Sequence, residues 1–150
     1  MKKIGLYFFV SIISTHFAFA DDQVDGLKSE ASKVIVHIAG IKNDKGDVFV
    51  ELYSDPKTFR KSALAYKVIK AKAQEGLMTF TYDEVNPGHY AILAFHDEDG
   101  NGSLNKRFGM IPTEGYALSN NPKIFGPPAF NDSSFEVPIN IELNLLMHYQ

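Results

Sequence analysis

The chain has 150 residues, with 15 Lys and Arg against 18 Asp and Glu for a formal net charge of −3, and no cysteine. Disulfides, thiolate metal sites, cysteine nucleophiles and a lipid-modified N-terminal cysteine are thereby excluded. A mildly acidic balance without a block of five like charges gives no electrostatic reason to seek nucleic acid or anionic lipid.

Residues 1–20 read as an export signal. Met1-Lys2-Lys3 is a positive start, Ile4 to Ile13 is uncharged and mostly apolar, and Ala18-Phe19-Ala20 puts small residues where a signal peptidase cuts. The uncharged run from Ile4 to Ala20 falls short of the roughly 20 apolar residues of a spanning helix. It also carries Ser11, Ser14, Thr15 and His16. No membrane span is expected after cleavage, and the expected location is the periplasm or the cell exterior. Without Lys2 and Lys3, 13 basic residues face 18 acidic ones, a net of −5. What remains suffices for one domain with one core. Lacking disulfides, such a domain relies on that core or on a bound ion, and the 8 Phe and 6 Tyr that follow residue 20, of 12 and 7 in the whole chain, supply a large apolar payload.

Residues 21–32 are polar and without period, which predicts a tether ahead of a domain over residues 33–150. Val34, Val36 and Ile38 alternate with Ile35, His37 and Ala39, the period of a strand. Asn43-Asp44-Lys45-Gly46 is a turn signal, and Val48, Val50 and Leu52 resume the alternation. Residues 33–53 therefore predict a β-hairpin. Residues 57–64 suit a short helical turn, and residues 66–71 a partly exposed edge strand. Gln74-Glu75-Gly76 turns the chain into Met78, Phe80 and Tyr82, a half-buried strand. After the Asn86-Pro87-Gly88 turn, His89 to His96 is apolar on both faces, which predicts a central strand.

Residues 97–133 are rich in Gly, Pro, Asn and Asp with little sustained period. Irregular segments that long are usually functional or disordered, and Phe108, Tyr116, Phe125 and Phe130 argue against disorder. Phe135, Val137, Ile139, Ile141, Leu143, Leu145 and Met147 then share one parity. Pro138 within that run implies an edge, a bulge or a passage between sheets. About seven short strands and no amphipathic helix of useful length predict an all-β, antiparallel β-sandwich with one long irregular loop region.

The loop after the central strand carries most of the functional signal. Counting from Asp97, side-chain oxygens fall at positions one, three and five as Asp97, Asp99 and Asn101. Gly102 follows at six, the Ser103 carbonyl at seven, Leu104 as an anchor at eight and Asn105 at nine. This is the first part of a calcium-loop pattern, in which alternate residues turn oxygens toward a hard cation that needs six to eight of them. Position twelve is Phe108 in place of a bidentate Glu and no helices flank the loop, so this is not an EF-hand. A further carboxylate must come from Glu98, Glu114 or Asp132, and Lys106 and Arg107 oppose an ion unless they point away. Binding of calcium would be weak, on the order of 10⁻⁴–10⁻³ M. The same Asp, Asn and Gly residues equally suit an ordinary turn.

Other constellations are weaker. His89 and His96 fall on opposite faces of one strand and cannot chelate one zinc without a bulge. His37 alternates with apolar residues and reads as a surface or satisfied interior histidine. A Ser119–His96–Asp97 triad can be written down, but adjacent His96 and Asp97 point apart on a strand. No nucleophile-elbow glycine pattern surrounds Ser119.

Five runs together resemble a family of exported bacterial proteins known as domain of unknown function 2141. They are Pro87-Gly88-His89-Tyr90-Ala91, His96-Asp97-Glu98-Asp99-Gly100-Asn101-Gly102, Pro112-Thr113-Glu114-Gly115-Tyr116, Ser119-Asn120-Asn121 and Phe125-Gly126-Pro127-Pro128-Ala129-Phe130. A looser likeness through Ile38 to Leu52 and the Gly46 turn extends it over residues 33–147. The resemblance implies a transthyretin-like or immunoglobulin-like sandwich and brings no activity, substrate or catalytic residue. The family pattern often has Asp where this chain has Asn105, and more neutral residues at Lys106-Arg107, which implies weaker calcium binding here.

The expected function is a non-catalytic binding or structural module with calcium as its only cofactor. The sequence identifies no partner, and an envelope glycan or protein is the candidate. Glu114, Tyr116, Ser119, Asn120, Phe125 and Phe130 are the candidates for a ligand-binding surface, and the same aromatics equally suit a core beneath the loops. Two alternatives stand beside it. One is a hydrolase with Glu114 or Asp97 as general base, which requires a concave pocket. The other is an accessory subunit of a cell-envelope complex.

Overall fold

Alternating burial organises the first strand. Val34, Val36 and Ile38 are fully buried, while Lys33 is exposed and Ile35 and His37 are half-buried. In the computed structural model, residues 32–123 and 125–150 are described. The expected export signal and residues 21–31 of the expected tether lie outside them. Ser32 already belongs to a strand.

In chain order the strands are β1 (Ser32–Ile41), β2 (Asp47–Tyr53), β3 (Lys67–Lys72), β4 (Gly76–Val85), β5 (Gly88–Asp97), β6 (Lys106–Arg107), β7 (Ile111–Pro112), β8 (Gly115–Leu118), β9 (Ser134–Val137) and β10 (Ile141–Leu146). A 3₁₀ turn at Ser62–Leu64 and a four-residue helix α1 (Phe130–Ser133) complete them. One of the two main sheets has the order β10-β1-β4 and the other β3-β2-β5-β8, with β9 also on β5, and β6 and β7 form a separate two-stranded sheet. The fold is all-β, and among the described residues its strand pairings are antiparallel except one: β1 and β10 run parallel, with Val36 opposite Leu143. Among the described residues no helix is long and apolar enough to cross a membrane.

The 33–53 segment is not a hairpin. β1 bonds to β4 and β10, whereas β2 bonds to β3 and β5 in the other sheet. Alternation reports that a strand has one buried face, not which strand takes its hydrogen bonds. Val34, Val36 and Ile38 meet Val48, Val50 and Leu52 across the space between the sheets, in one core with Phe80, Tyr82, Ile92 and Leu145.

β3 is the expected edge strand, and its Lys67, Lys70 and Lys72 discourage further pairing. β5 is the expected central strand, bonded to β2 along one side and to β8 and β9 along the other. The last segment divides around Pro138, with Val137 opposite Gly88 in one sheet and Ile141 opposite Val34 in the other. A proline lacks the N–H that a continuous ladder would need, so the break falls there. β8 lies inside the stretch expected to be irregular; four residues are too few to show a period.

The outer face of the five-stranded sheet is also covered. Tyr53, Ala91, Leu93 and Leu118 pack against Phe59 and Phe130. Tyr53 meets Phe59 edge-on at 5.3 Å, and Phe59 meets Phe130 in the same way at 5.8 Å. This second cluster explains why β5 is apolar on both sides.

Candidate functional site

Asp97 ends β5, and the 42–46 connection is pressed against it. Gly46 has φ +68°, and a Cβ there would lie 1.8 Å from the Asp97 carbonyl oxygen, so only glycine permits this approach. Fully buried His96 ties the same junction together. Its Nε2 lies 2.6 Å from the Lys45 carbonyl, which can only accept, so Nε2 carries the proton. Nδ1 is then free to accept the Tyr149 hydroxyl at 2.7 Å, while that hydroxyl accepts the Lys42 N–H at 3.0 Å. Gly115 leaves room for the same tyrosine, since a Cβ there would fall 2.4 Å from its ring.

From this anchored end the loop winds around the Asp97 carboxylate. Oδ1 accepts the backbone N–H of Gly100 and Asn101 at 2.9 and 3.1 Å, and Oδ2 that of Gly102 at 2.8 Å. Asp99 Oδ2 accepts the side-chain amides of Asn101 and Asn105 at 3.1 and 2.8 Å. The Asn105 bond is the main reason that the Asp99 carboxyl lies below the ordinary carboxylate range, with the Asn101 backbone N–H second. Asn101 Oδ1 accepts both the N–H and the hydroxyl of Ser103. Glu114 closes the loop from across the sheet end: Oε1 accepts the Glu98 N–H at 3.0 Å and Oε2 the Asn105 N–H at 2.9 Å. Of the three carboxylates offered by the sequence, only Glu114 reaches the loop interior. Glu98 accepts the Asn43 amide, and Asp132 caps the N–H of Ala129.

One oxygen each from Asp97, Asp99 and Glu114 lies within 4.8 Å of the others. Oxygens on opposite sides of a calcium ion, each at about 2.3–2.6 Å, are separated by about 4.6–5.2 Å, so the spacing fits. Asp97 and Glu114 are 0% and 6% exposed. Among the described residues none of the three carboxylates forms an ion pair. Lys106 and Arg107, whose charge would oppose a cation, are exposed on β6. The Asn105 amide now turns nitrogen toward Asp99; a half-rotation would present Oδ1 in its place.

The ligand-surface candidates do not form one patch. Ser119 is fully buried, accepts the Ile92 N–H at 2.9 Å and donates to the Ser133 carbonyl. Phe130 is buried in the outer cluster, and Glu114 belongs to the acidic loop. Burial removes these three from a contact surface. Asn120 is exposed and donates to the Ser134 carbonyl, Tyr116 is half-buried on the outer face, and Phe125 is fully exposed. Ser119 and His96 bond to different partners, so the written triad is not assembled. The roles of Gly46 and Tyr149 were not visible in sequence, because both depend on contacts made far along the chain.

Two packed sheets and an Asp/Asn/Gly loop closed by a distant glutamate define an all-β sandwich with an acidic end loop. The chain belongs to the family described as "Uncharacterized protein conserved in bacteria (DUF2141)", whose model matches residues 36–142. No curated protein and no solved structure matches the chain.

Proposed function

We propose that this protein is an exported, non-catalytic binding module whose end loop is braced by calcium. Asp97, Asp99 and Glu114 would supply the charge, and Asn101, Asn105 and the Ser103 carbonyl the neutral oxygens. The observation that carries the reading is the approach of three carboxylates to within 4.8 Å with, among the described residues, no cationic side chain paired to them. Like charges so close repel, and a divalent cation relieves that repulsion. Proton transfer suits them less well. Asp97 already accepts three backbone N–H groups and Glu114 two, which fits a holding role better than that of a general base.

Calorimetric titration of the purified protein with calcium tests this. We expect a saturable heat with an affinity on the order of 10⁻⁴–10⁻³ M. Calcium at 100-fold excess over that value should raise stability by about 2.7 kcal/mol. Asp99→Asn and Glu114→Gln should both lose the heat. A folded wild-type protein that shows neither heat nor stabilisation overturns the ion.

A further inference from the structure

Beside the acidic loop, the outer face of the five-stranded sheet carries a pocket of about 400 Å³. That volume lies within the range of small-ligand sites, about 300–1,000 Å³. Leu93 of β5 and Tyr116 of β8 line it from the sheet, Met110 from the β6–β7 turn, and Pro127 from the segment that leads to α1. Its charged lining side chains are Arg60 and Lys106, and among the described residues no acidic side chain borders it; Gln150, the last residue of the sequence, lines it as well. Among the described residues neither cation forms an ion pair. In a chain of net charge −3 this is a local reversal of sign on an apolar surface. Arg60 is held at φ +66°, a conformation that side-chain-bearing residues resist, so the fold places this guanidinium against local preference. Met110 in the lining is 70% exposed, and Phe108 and Phe125, the chain neighbours of the lining residues Gly109 and Gly126, are 82% and 103% exposed.

We propose that this pocket binds a small amphipathic anion, its apolar body against Leu93, Tyr116 and Pro127 and its carboxylate held by Arg60 and Lys106. An apolar lining selects the body, and two cationic side chains without an ion-pair partner among the described residues select the charge of the head. The inference gives a ligand class to the binding-module reading above and rests on that reading, but not on the ion.

The test is a calorimetric titration of the purified protein with decanoate below its micelle concentration. Decanol and decyltrimethylammonium serve as neutral and cationic matches, and each titration is run with calcium and with EDTA. We expect one equivalent of decanoate to bind, decanol to bind at least tenfold more weakly, and the ammonium not to bind. Arg60→Gln with Lys106→Gln should weaken decanoate at least tenfold with the thermal midpoint unchanged, since both side chains are exposed. Equal binding of decanol and decanoate, or no binding of either, overturns the proposal. So does binding to phosphatidylglycerol vesicles without uptake of free decanoate, which would assign the exposed aromatics to a lipid surface instead. Decanoate binding that persists in EDTA, beside a failed calcium titration, would remove the ion and keep the pocket.

Discussion

Asp47 and Asp97 sit directly opposite each other on β2 and β5, both buried, and meet different surroundings. Asp97 is satisfied by backbone N–H groups of its own loop. Asp47 is held by Lys72 at 2.9 Å and Lys70 at 3.1 Å, and hydrogen bonds from Lys72 and then Lys70 lower its carboxyl below the ordinary 3.8. A carboxyl whose pKa is lower folded than unfolded stabilises the fold above the unfolded value, and the contribution is lost as pH falls through the folded one. The urea midpoint should therefore drop as pH is taken from neutral to well below 3.8, and Asp47→Asn should flatten part of that drop. Identical pH profiles for the two proteins would mean that the lysines do not act on Asp47. At this scale spacing alone singled out Asp97, Asp99 and Asn101, because a tight loop turns alternate side chains toward one side. It offered Glu114 only as one of three carboxylates, since only the fold brings a residue 16 positions from Glu98 back to its N–H.

The existence of the longer strands was plain in the side-chain period, whereas the short β6, β7 and β8 and the partnership of every strand were not. β1 and β2 have the alternation of a hairpin, yet the connection between them carries the chain from one sheet to the other. Gly46 is what that connection requires, with its positive φ and its backbone against the Asp97 carbonyl. Gly46→Ala should cost at least about 2 kcal/mol, because the new methyl meets backbone and not a movable side chain. Chemical denaturation measures it, and an unshifted midpoint would show that the connection moves aside freely. Pro138 was more legible. A residue without an N–H interrupts a ladder wherever it falls, and here the ladder changes sheets around it.

For the whole molecule, an aromatic-rich chain of alternating segments pointed to a sandwich, and residues 36–142 belong to a bacterial family. The covering of the outer face was harder to foresee, because Phe59 and Phe130 come from stretches without period and lie 71 positions apart in number. If residues 1–20 are an export signal, the intact mass of the protein recovered from outside the cytoplasm will correspond to a chain that begins at Asp21; a retained Met1 would contradict export by cleavage. The parallel alignment of β1 with β10 bears on mechanics. A domain gripped at Ser32 and at Leu146 would be drawn along the direction of both strands, so their six register pairs would be sheared together instead of unzipping one after another.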